Sequence, residues 1–543
     1  MSSDTSAGRY LATSTVVQPL IHRWYAVPYF AAPHTGALNL AKRQLPALRS
    51  YLAAPHAHEA ALKSPTMFGA PFVNPREGGV AAIEELVETT LKEGRPRLQL
   101  AEEIDAMRAI LKENANGGSL AGLYAQLPPS LHGISELVYD TANNPSLRFF
   151  EPLLYRTAAL QPEAQTISLL PRHDPSQPFI YGSPVLSHGR AELKVPFSAP
   201  ELGELFAGHR RRVDVEALIE LFELAGGQQE IFRGLFTDRE PRPYDHAEPG
   251  QVRVRYFGHA SVLMEYEGFT VMTDPTLGYD DDGWDHFTFA DLPEKIDVVV
   301  ISHGHSDHFS LETLLQLRDR IGTIVVPLTG GGTLPDFNLR VFLESFGFRN
   351  VVELGEVQSL DLGPAKITAL PFLGEHGDLD IRAKMVPLVR IGGRGFLFAT
   401  DTSPMDPSIY ELVGREIGTV DALFIGLECV GAPMSWLYGP LLDTPISRDD
   451  DHARGLKGSF ADPADKVAQQ VGARTVFVYA LGMEPWLKHL SGCWYDPAAE
   501  QIQQSELLTE LCGKRGVSSE LLYITAERSW PAGSDEVVPT RTR

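Results

Sequence analysis

Residues Ile296–Ser310 read IDVVVISHGHSDHFS. The opening part, Ile296–Ser302, is nearly all apolar and β-branched, and a run of that length and composition predicts a strand buried on both faces. The polar segment that follows without a break, Ser302–Ser310, carries His303, His305, Asp307 and His308 in the pattern H-x-H-x-D-H. It falls at the carboxyl end of the strand, where open α/β sheets display their functional groups. Imidazole and carboxylate both bind divalent metals, and a single turn here offers four such side chains. The turn can direct His303 and His305 at one ion and Asp307 and His308 at a second, with oxygen bridges between the two. His56 and His58 form another H-x-H pair, but no buried strand precedes them and no acid accompanies them, so they are expected at the surface.

The flanking sequence extends this pattern in both directions. Before it, Val252–Phe257, Ser261–Tyr266 and Thr270–Thr273 read as strands joined by short turns. After it, helices are expected at Leu311–Arg320 and Leu339–Gly347, with a strand between them at Thr323–Pro327. Further strands are expected at Lys366–Pro371, Gly395–Ala399, Ala422–Gly426 and Thr475–Tyr479. Strands followed by helices, with hairpins at the front, describe sheets covered by helices.

Several acids and histidines stand at the ends of these strands. Asp401 follows Gly395–Ala399 in FLFATDTSP. A carboxylate there has two oxygens to offer two cations, although Asp also serves well as a helix N-cap. Pro371–Ile381, PFLGEHGDLDI, sets Glu375 and His376 side by side. Adjacent side chains usually diverge, so only one of the two is expected at a given metal, and the residues alone leave either possible. Glu428, in FIGLECV, reads either as an acid near the metals or facing the substrate, or as an ordinary loop residue. His259 reads as a core histidine more readily than as a neighbour of the metals. Val476–Trp486, VFVYALGMEPW, has no histidine at its strand end, and His489 beyond it is a poor substitute.

Composition narrows the function. The chain has 543 residues, with 47 Lys+Arg against 70 Asp+Glu, a formal charge of −23. That balance argues against a general nucleic-acid binder, which needs a basic field. Cys429, Cys493 and Cys512 make no C-x-x-C pair, which argues against a disulfide framework or a thiolate zinc site. The opening residues lack the pattern of a secretory signal, and no apolar run reaches the length of a membrane span, so a soluble, cytoplasmic protein is expected.

The first half carries fewer chemical motifs. Amphipathic helices are expected at Ala81–Glu93, with Ile83, Leu86, Val87 and Leu91 on one stripe, and at Glu102–Lys112. Val215, Leu218, Ile219 and Phe222 mark a third helix, and Ile167–Leu170 reads as a strand. Thr237–Gln251 is dense in Pro and charge and reads as a linker. The expected division is therefore a mixed α/β amino-terminal domain over residues 1–245 and a metal-binding α/β (α+β) domain over 246–543. His209–Val213, HRRRV, is the densest basic run and reads either as the solvated start of a helix or as a docking patch. The acidic runs Asp280–Asp282 and Asp449–Asp451 read as solvated loops.

The H-x-H-x-D-H segment closely resembles the signature of the metallo-β-lactamase superfamily. Gly258–Pro275, GHASVLMEYEGFTVMTDP, resembles that superfamily's opening strands, and Asp401 matches its bridging aspartate. The resemblance covers about residues 250–530 and implies an αββα sandwich with a two-metal site at one edge. Two departures, an acid beside the middle histidine position and the missing late histidine, resemble a smaller family, the di-iron β-hydroxylases of nonribosomal peptide pathways, among them the chloramphenicol-pathway hydroxylase. That resemblance implies that His303, His305 and Glu375 hold one iron, that Asp307 and His308 hold the other, and that Asp401 bridges them, with His376 a neighbour that orients the site.

The same resemblance implies an activity. Two irons use O₂ to hydroxylate the β-carbon of an amino acid held as a thioester on a carrier domain of a nonribosomal peptide synthetase, in antibiotic biosynthesis. The amino acid is expected to be aromatic, with 4-aminophenylalanine the leading candidate. Nothing in the sequence resembles a flavin or nicotinamide site, so a separate reductant is implied as electron donor, and relatives imply a homodimer. The alternative is a dizinc hydrolase of the same fold acting on a lactone, phosphodiester or thioester, in which metal-bound hydroxide is the nucleophile.

Overall fold

The computed structural model describes residues 8–64, 67, 71–76, 78–186, 188–280, 283–493, 496–531 and 538–542. Its second half is built on two sheets. An eight-stranded sheet runs in the order Val351–Leu354, Ile321–Pro327, Ile296–Val300, Phe269–Thr273, Val262–Tyr266, Gln251–Tyr256, Ala526–Pro531 and Val538–Thr542. A seven-stranded sheet runs Ser359–Asp361, Ala365–Leu370, Val386–Ile391, Arg394–Phe398, Ala422–Gly426, Thr475–Tyr479 and Ser518–Leu521.

Alternation along the strands explains how the sheets stack. Val298 and Val300 join a core shared with Phe396, Phe398, Phe424 and Phe477 of the other sheet. Val299 and Ile301 face the opposite way, onto the helices Leu311–Leu317 and Leu339–Ser345. Both faces are covered, which is why the strand's sequence is nearly continuous in apolar residues. On the far side, the helices Ser408–Ile417, Ala461–Gln470 and Glu500–Lys514 cover the seven-stranded sheet through Tyr410, Val467 and Leu508. The result is an αββα sandwich, as the sequence implied.

The strands that matter most are parallel. Val271 pairs with Val298, and Val298 with Thr323, all running the same way. Phe398 pairs in parallel with Phe424, and Phe424 with Phe477. Their carboxyl ends therefore gather at one edge of the sandwich.

The first half contains a four-stranded antiparallel sheet in the order Trp24–Tyr25, Val16–Ile21, Gln165–Leu170, Ala191–Leu193. Helices Gly79–Glu93 and Arg95–Glu113 bury Ile83, Leu86, Ile104, Met107 and Leu111, while Leu91, expected on the same stripe, is exposed at 42%. Helix Val215–Leu221 buries Val215, Leu218 and Ile219. One hydrophobic cluster runs from these residues into Leu314, Leu317 and Phe342 of the second half. Between the halves, residues 238–250 form no helix or strand. They are nonetheless pinned, because the Tyr244 hydroxyl donates to Glu265 (2.8 Å) and His246 Nδ1 lies 2.8 Å from the same carboxylate.

Two surface expectations need correction. His58 is buried at 2% exposure, where its Nδ1 accepts from the Val73 amide at 2.9 Å. Its partner His56 is exposed. The HRRRV run does not begin a helix. It spans the bend before Val215–Leu221, with His209 buried and stacked between Phe206 and Phe289. Of the acidic runs, Asp281 and Asp282 lie outside the described residues. Asp449–Asp451 sit in a short helix, and Asp451 accepts from the Ser435 amide and hydroxyl. The three cysteines are free. No described helix is long and apolar enough to cross a membrane.

Glu312 joins the halves, its carboxylate accepting from the hydroxyls of Tyr25 and Tyr279. Burial pushes this carboxyl up from 4.5 to about 7. An acid whose folded pKa is raised adds stability that is complete below its unfolded pKa and is lost as pH rises through the folded value. Between pH 5 and pH 8 the urea stability of the wild type should therefore fall more than that of Glu312→Gln, by a difference on the order of 3 kcal/mol. Parallel pH profiles for the two proteins would refute the assignment.

Candidate metal centre

The loops that leave the carboxyl ends of the strands take unusual backbone forms. His259, Asp274, Glu375 and Thr400 have positive φ, at +50°, +36°, +68° and +40°. Non-glycine residues in that region are strained and concentrate at functional sites. These residues sit where the loops turn sharply at the sheet edge.

Asp274 organises the H-x-H-x-D-H loop. Its carboxylate accepts from the Ser302 amide (2.7 Å) and the Ser302 hydroxyl (2.6 Å), and Oδ2 lies 2.9 Å from His308 Nδ1. In the neutral ring the proton of His308 is thus held on Nδ1, which leaves Nε2 as the cleft-facing donor atom for a cation. That Nε2 lies 3.0 Å from Asp401 Oδ2. His303 Nε2 lies 3.6 Å from Glu375 Oε2 and 3.9 Å from Asp401 Oδ2. His305 Nδ1 is 2.6 Å from Glu375 Oε1, and its Nε2 is 3.0 Å from the Tyr438 hydroxyl.

Three overlapping groups of ligand-type atoms result, each with its atoms within 4.8 Å of one another: His303, His305, Glu375 and His376; His303, His308 and Asp401; and His259, Asp307 and His308. The H-x-H-x-D-H residues, Glu375 and Asp401 thus all converge on one cleft. The divergence expected of Glu375 and His376 does not occur. With Glu375 at positive φ, the chain folds both side chains inward, and His376 Nδ1 sits 3.1 Å from Glu375 Oε2. The His376 ring stacks on that of His305 at 4.6 Å.

His259 is a buried histidine, as expected, and it also lies beside the cleft. Its Nδ1 accepts from the Gly482 amide at 3.2 Å. The ring proton is therefore on Nε2, which lies 3.3 Å from Asp307 Oδ2. Its backbone amide donates to Glu484 at 2.7 Å, which anchors the strained turn. The one available signal was its place in the Gly258–His259 turn between two strands. His489 is half-buried against Tyr25 and His173 and belongs to none of the three groups.

Burial and mutual charge shape the electrostatics. Burial, and then the neighbouring histidines, pull the His303 imidazole well below its ordinary pKa. Burial acts the same way on His305, but the Glu375 carboxylate outweighs it and raises this ring. Asp401 and Asp274 likewise outweigh burial and raise His308 strongly. Burial raises the Glu375 carboxyl against the opposing pull of His305.

A cavity of about 300 Å³ opens beside these groups. Phe179 and Tyr181, from the first half of the chain, form part of its wall, together with Trp436 and Glu428. The Tyr181 hydroxyl donates to Ser306 Oγ at 3.2 Å. Glu428 lies in the wall, outside the three ligand groups, and its carboxylate accepts from the Gly431 amide (3.0 Å) and from Gln501 Nε2 (2.8 Å). Burial pushes this carboxyl up to about 7.

Known proteins with this arrangement are close at hand. A family profile described as the di-iron non-heme β-hydroxylase N-terminal domain matches residues 10–241, and a β-lactamase superfamily domain matches 270–435. The 4-amino-L-phenylalanyl-(CmlP-peptidyl-carrier-protein) 3-hydroxylase of Streptomyces venezuelae is 34% identical over 530 residues, covering 95% of this chain and 98% of that protein. The chain belongs to the non-heme di-iron β-hydroxylase family. The crystal structure of CmlA, a di-iron β-hydroxylase from Streptomyces venezuelae, superposes with a TM-score of 0.89 at 33% identity, over 97% of this chain and 100% of that one. By contrast, a metal-dependent hydrolase of Bacillus mycoides is 25% identical over only 32% of this chain.

The side chains fit a pair of cations. His303 Nε2, His308 Nε2, Glu375 Oε2 and Asp401 Oδ1 are all buried and have no hydrogen-bond partner, and all belong to the ligand groups. Lone pairs brought together in a dry cleft are stabilised by bound metal. Asp274→Asn tests how far the cleft depends on its supporting residue. An amide in place of the carboxylate favours the other His308 tautomer, with the proton on the cleft-facing nitrogen. Metal affinity, read by competition with a chelator, should fall roughly 10–100-fold with the fold unchanged. Undiminished affinity would show that the tautomer is set elsewhere.

Proposed function

We propose that this protein hydroxylates the β-carbon of an aromatic amino acid carried as a thioester on a nonribosomal peptide synthetase carrier domain. The observation that carries the reading is the carboxylate of Glu375 lying between His303 and His305, where a hydrolase of this fold would have a histidine. In this reading His303, His305 and Glu375 hold one iron, Asp307 and His308 hold the other, and Asp401 lies between them. Two irons held there would supply O₂ chemistry that, with two electrons from a separate donor and two protons, places one oxygen atom in the C–H bond and releases the other as water.

The remaining roles belong to the chain. Carboxylate ligands supply negative charge that suits oxidised iron better than a neutral ring does. Asp274 fixes the His308 tautomer, and Tyr438 holds the far nitrogen of His305. His259 Nε2 lies 3.3 Å from Asp307 Oδ2 and packs beside that carboxylate at the cleft. Phe179 and Trp436, 5.0 Å apart, give the cavity an aromatic wall that receives an aromatic side chain and excludes water. Glu428 faces the same space and receives the substrate's ammonium, whose charge would keep this carboxyl ionised. The relative from Streptomyces venezuelae, named for a 4-amino-L-phenylalanyl carrier-protein substrate, supports the substrate class.

Two measurements test this. Intact-mass analysis of aminoacyl-loaded carrier, incubated with the enzyme, a reductant and O₂, should show the gain of one oxygen atom. Glu375→Ala should lose more activity and iron than the roughly 10–100-fold typical of an outer partner, and His376→Ala should stay within that range. Full occupancy by zinc with no O₂ uptake would sink the oxygenase reading. For Glu428→Gln, KM for the loaded carrier should rise by about tenfold with little change in kcat, consistent with loss of one charge-assisted hydrogen bond. An equal fall in kcat with KM unchanged would remove Glu428 from substrate binding.

A further inference from the structure

A second cavity, of about 940 Å³, holds charged groups that the metal cleft does not use. Gly268, Lys295 and Arg320 line it, and each immediately precedes a strand of the parallel set, Phe269–Thr273, Ile296–Val300 and Ile321–Pro327. The cavity therefore lies at the opposite edge of the sheet from the metal loops, about 17 Å away along a five-residue strand. The two cavities share no lining residue.

Two guanidinium groups here have no counter-anion. The Arg210 side chain makes no hydrogen bond and no ion pair with any described residue, and its Nε and Nη2 are buried. Arg320 directs Nε and Nη2 at the carbonyl oxygens of Glu294 and Pro293, and its Nη1 is buried without an acceptor. Burial, and then the charge of Arg210, hold the Arg320 guanidinium down to about 9. The nearby cations Lys295 and Arg211 are already paired, with Asp297 and Glu204. Asp291 and Glu294 act on Arg210 only at longer range and form no ion pair with it among the described residues.

This is an unusual omission in a chain with 70 acidic residues. Like charges held together in a partly dry site are costly unless an anion joins them. Arginine pairs bind tetrahedral oxyanions well, because each planar fork donates two parallel hydrogen bonds. The cavity is also far larger than a free phosphate requires, which leaves room for an organic body.

We propose that Arg210 and Arg320 form a binding site for a phosphate group, free or carried as a phosphate ester, on the face of the protein away from the metal cleft. Titration calorimetry of the iron-loaded enzyme, with the visible absorption of its iron followed in parallel, tests the site. Inorganic phosphate and glycerol 3-phosphate are the probes, and tighter binding of one or the other identifies the free or esterified source. The expected result is an isotherm without change in the iron absorption, weakened at least about tenfold in Arg210→Gln and partly restored in Arg210→Lys. Phosphate should raise the melting temperature of the wild type but not of Arg210→Gln. In phosphate-free buffer Arg210→Gln should melt no lower than the wild type, because it removes an unneutralised charge. Absence of binding by both probes, equal binding by wild type and Arg210→Gln, or binding that perturbs the iron absorption would each overturn the proposal. So would loss of carrier binding in Arg210→Gln without phosphate binding by the wild type, which would make this a protein-docking surface.

Discussion

Carboxylates and imidazoles crowd into the cleft between His303, Glu375 and Asp401, where water is largely excluded, and this crowding sets the terms for the structure around it. Interactions between charges are far stronger in such surroundings than in solvent, and an uncompensated lone pair is correspondingly costly. Bound metal ions would resolve the conflict, provided the donor atoms stay in register without them. The two-sheet core supplies that rigidity. Strand Ile296–Val300, buried on both faces, holds the H-x-H-x-D-H loop at its end. Its parallel partner Phe269–Thr273 brings Asp274 to the same edge, and Arg394–Phe398 of the facing sheet brings Asp401 there.

Backbone strain is part of the same arrangement. His259, Asp274, Glu375 and Thr400 adopt positive φ at loops that meet the cleft. Such conformations persist only where surrounding contacts over-determine them. Glu484 does this for His259, accepting from its amide, and Asp274 is held by its bonds to Ser302. Asp274 takes part twice, once through its own strained backbone and once by holding the proton of the His308 ring on Nδ1.

The first half of the chain contributes to the site rather than merely preceding it. Phe179 and Tyr181 form cavity wall, and Glu312 bonds to tyrosines from both halves. A hydrolase with only the αββα sandwich lacks that wall. Family membership over nearly the whole length of the chain is consistent with a substrate pocket that needs both halves.

The local pattern that sets the fold class was legible in the sequence. The period and β-branching of Ile296–Ser302, the H-x-H-x-D-H spacing, and Asp401 behind an apolar strand depend only on neighbours a few residues apart, so the fold class and most of the ligand-type side chains that meet in the cleft could be read directly. The pairing of Glu375 with His376 could not, because whether adjacent side chains diverge depends on φ, and a positive φ here is imposed by tertiary contacts. His259 looked like a core histidine because Asp307 and Gly482, which give it a role, are distant in sequence and near only in space. His58 was misjudged for the same reason, its burial being set by the later segment that carries Val73. The sequence by itself determined which chemical groups the strand ends carry. Tertiary structure alone decided which of them meet, since hydrogen-bond geometry and desolvation are properties of a packed interior and not of spacing along the chain.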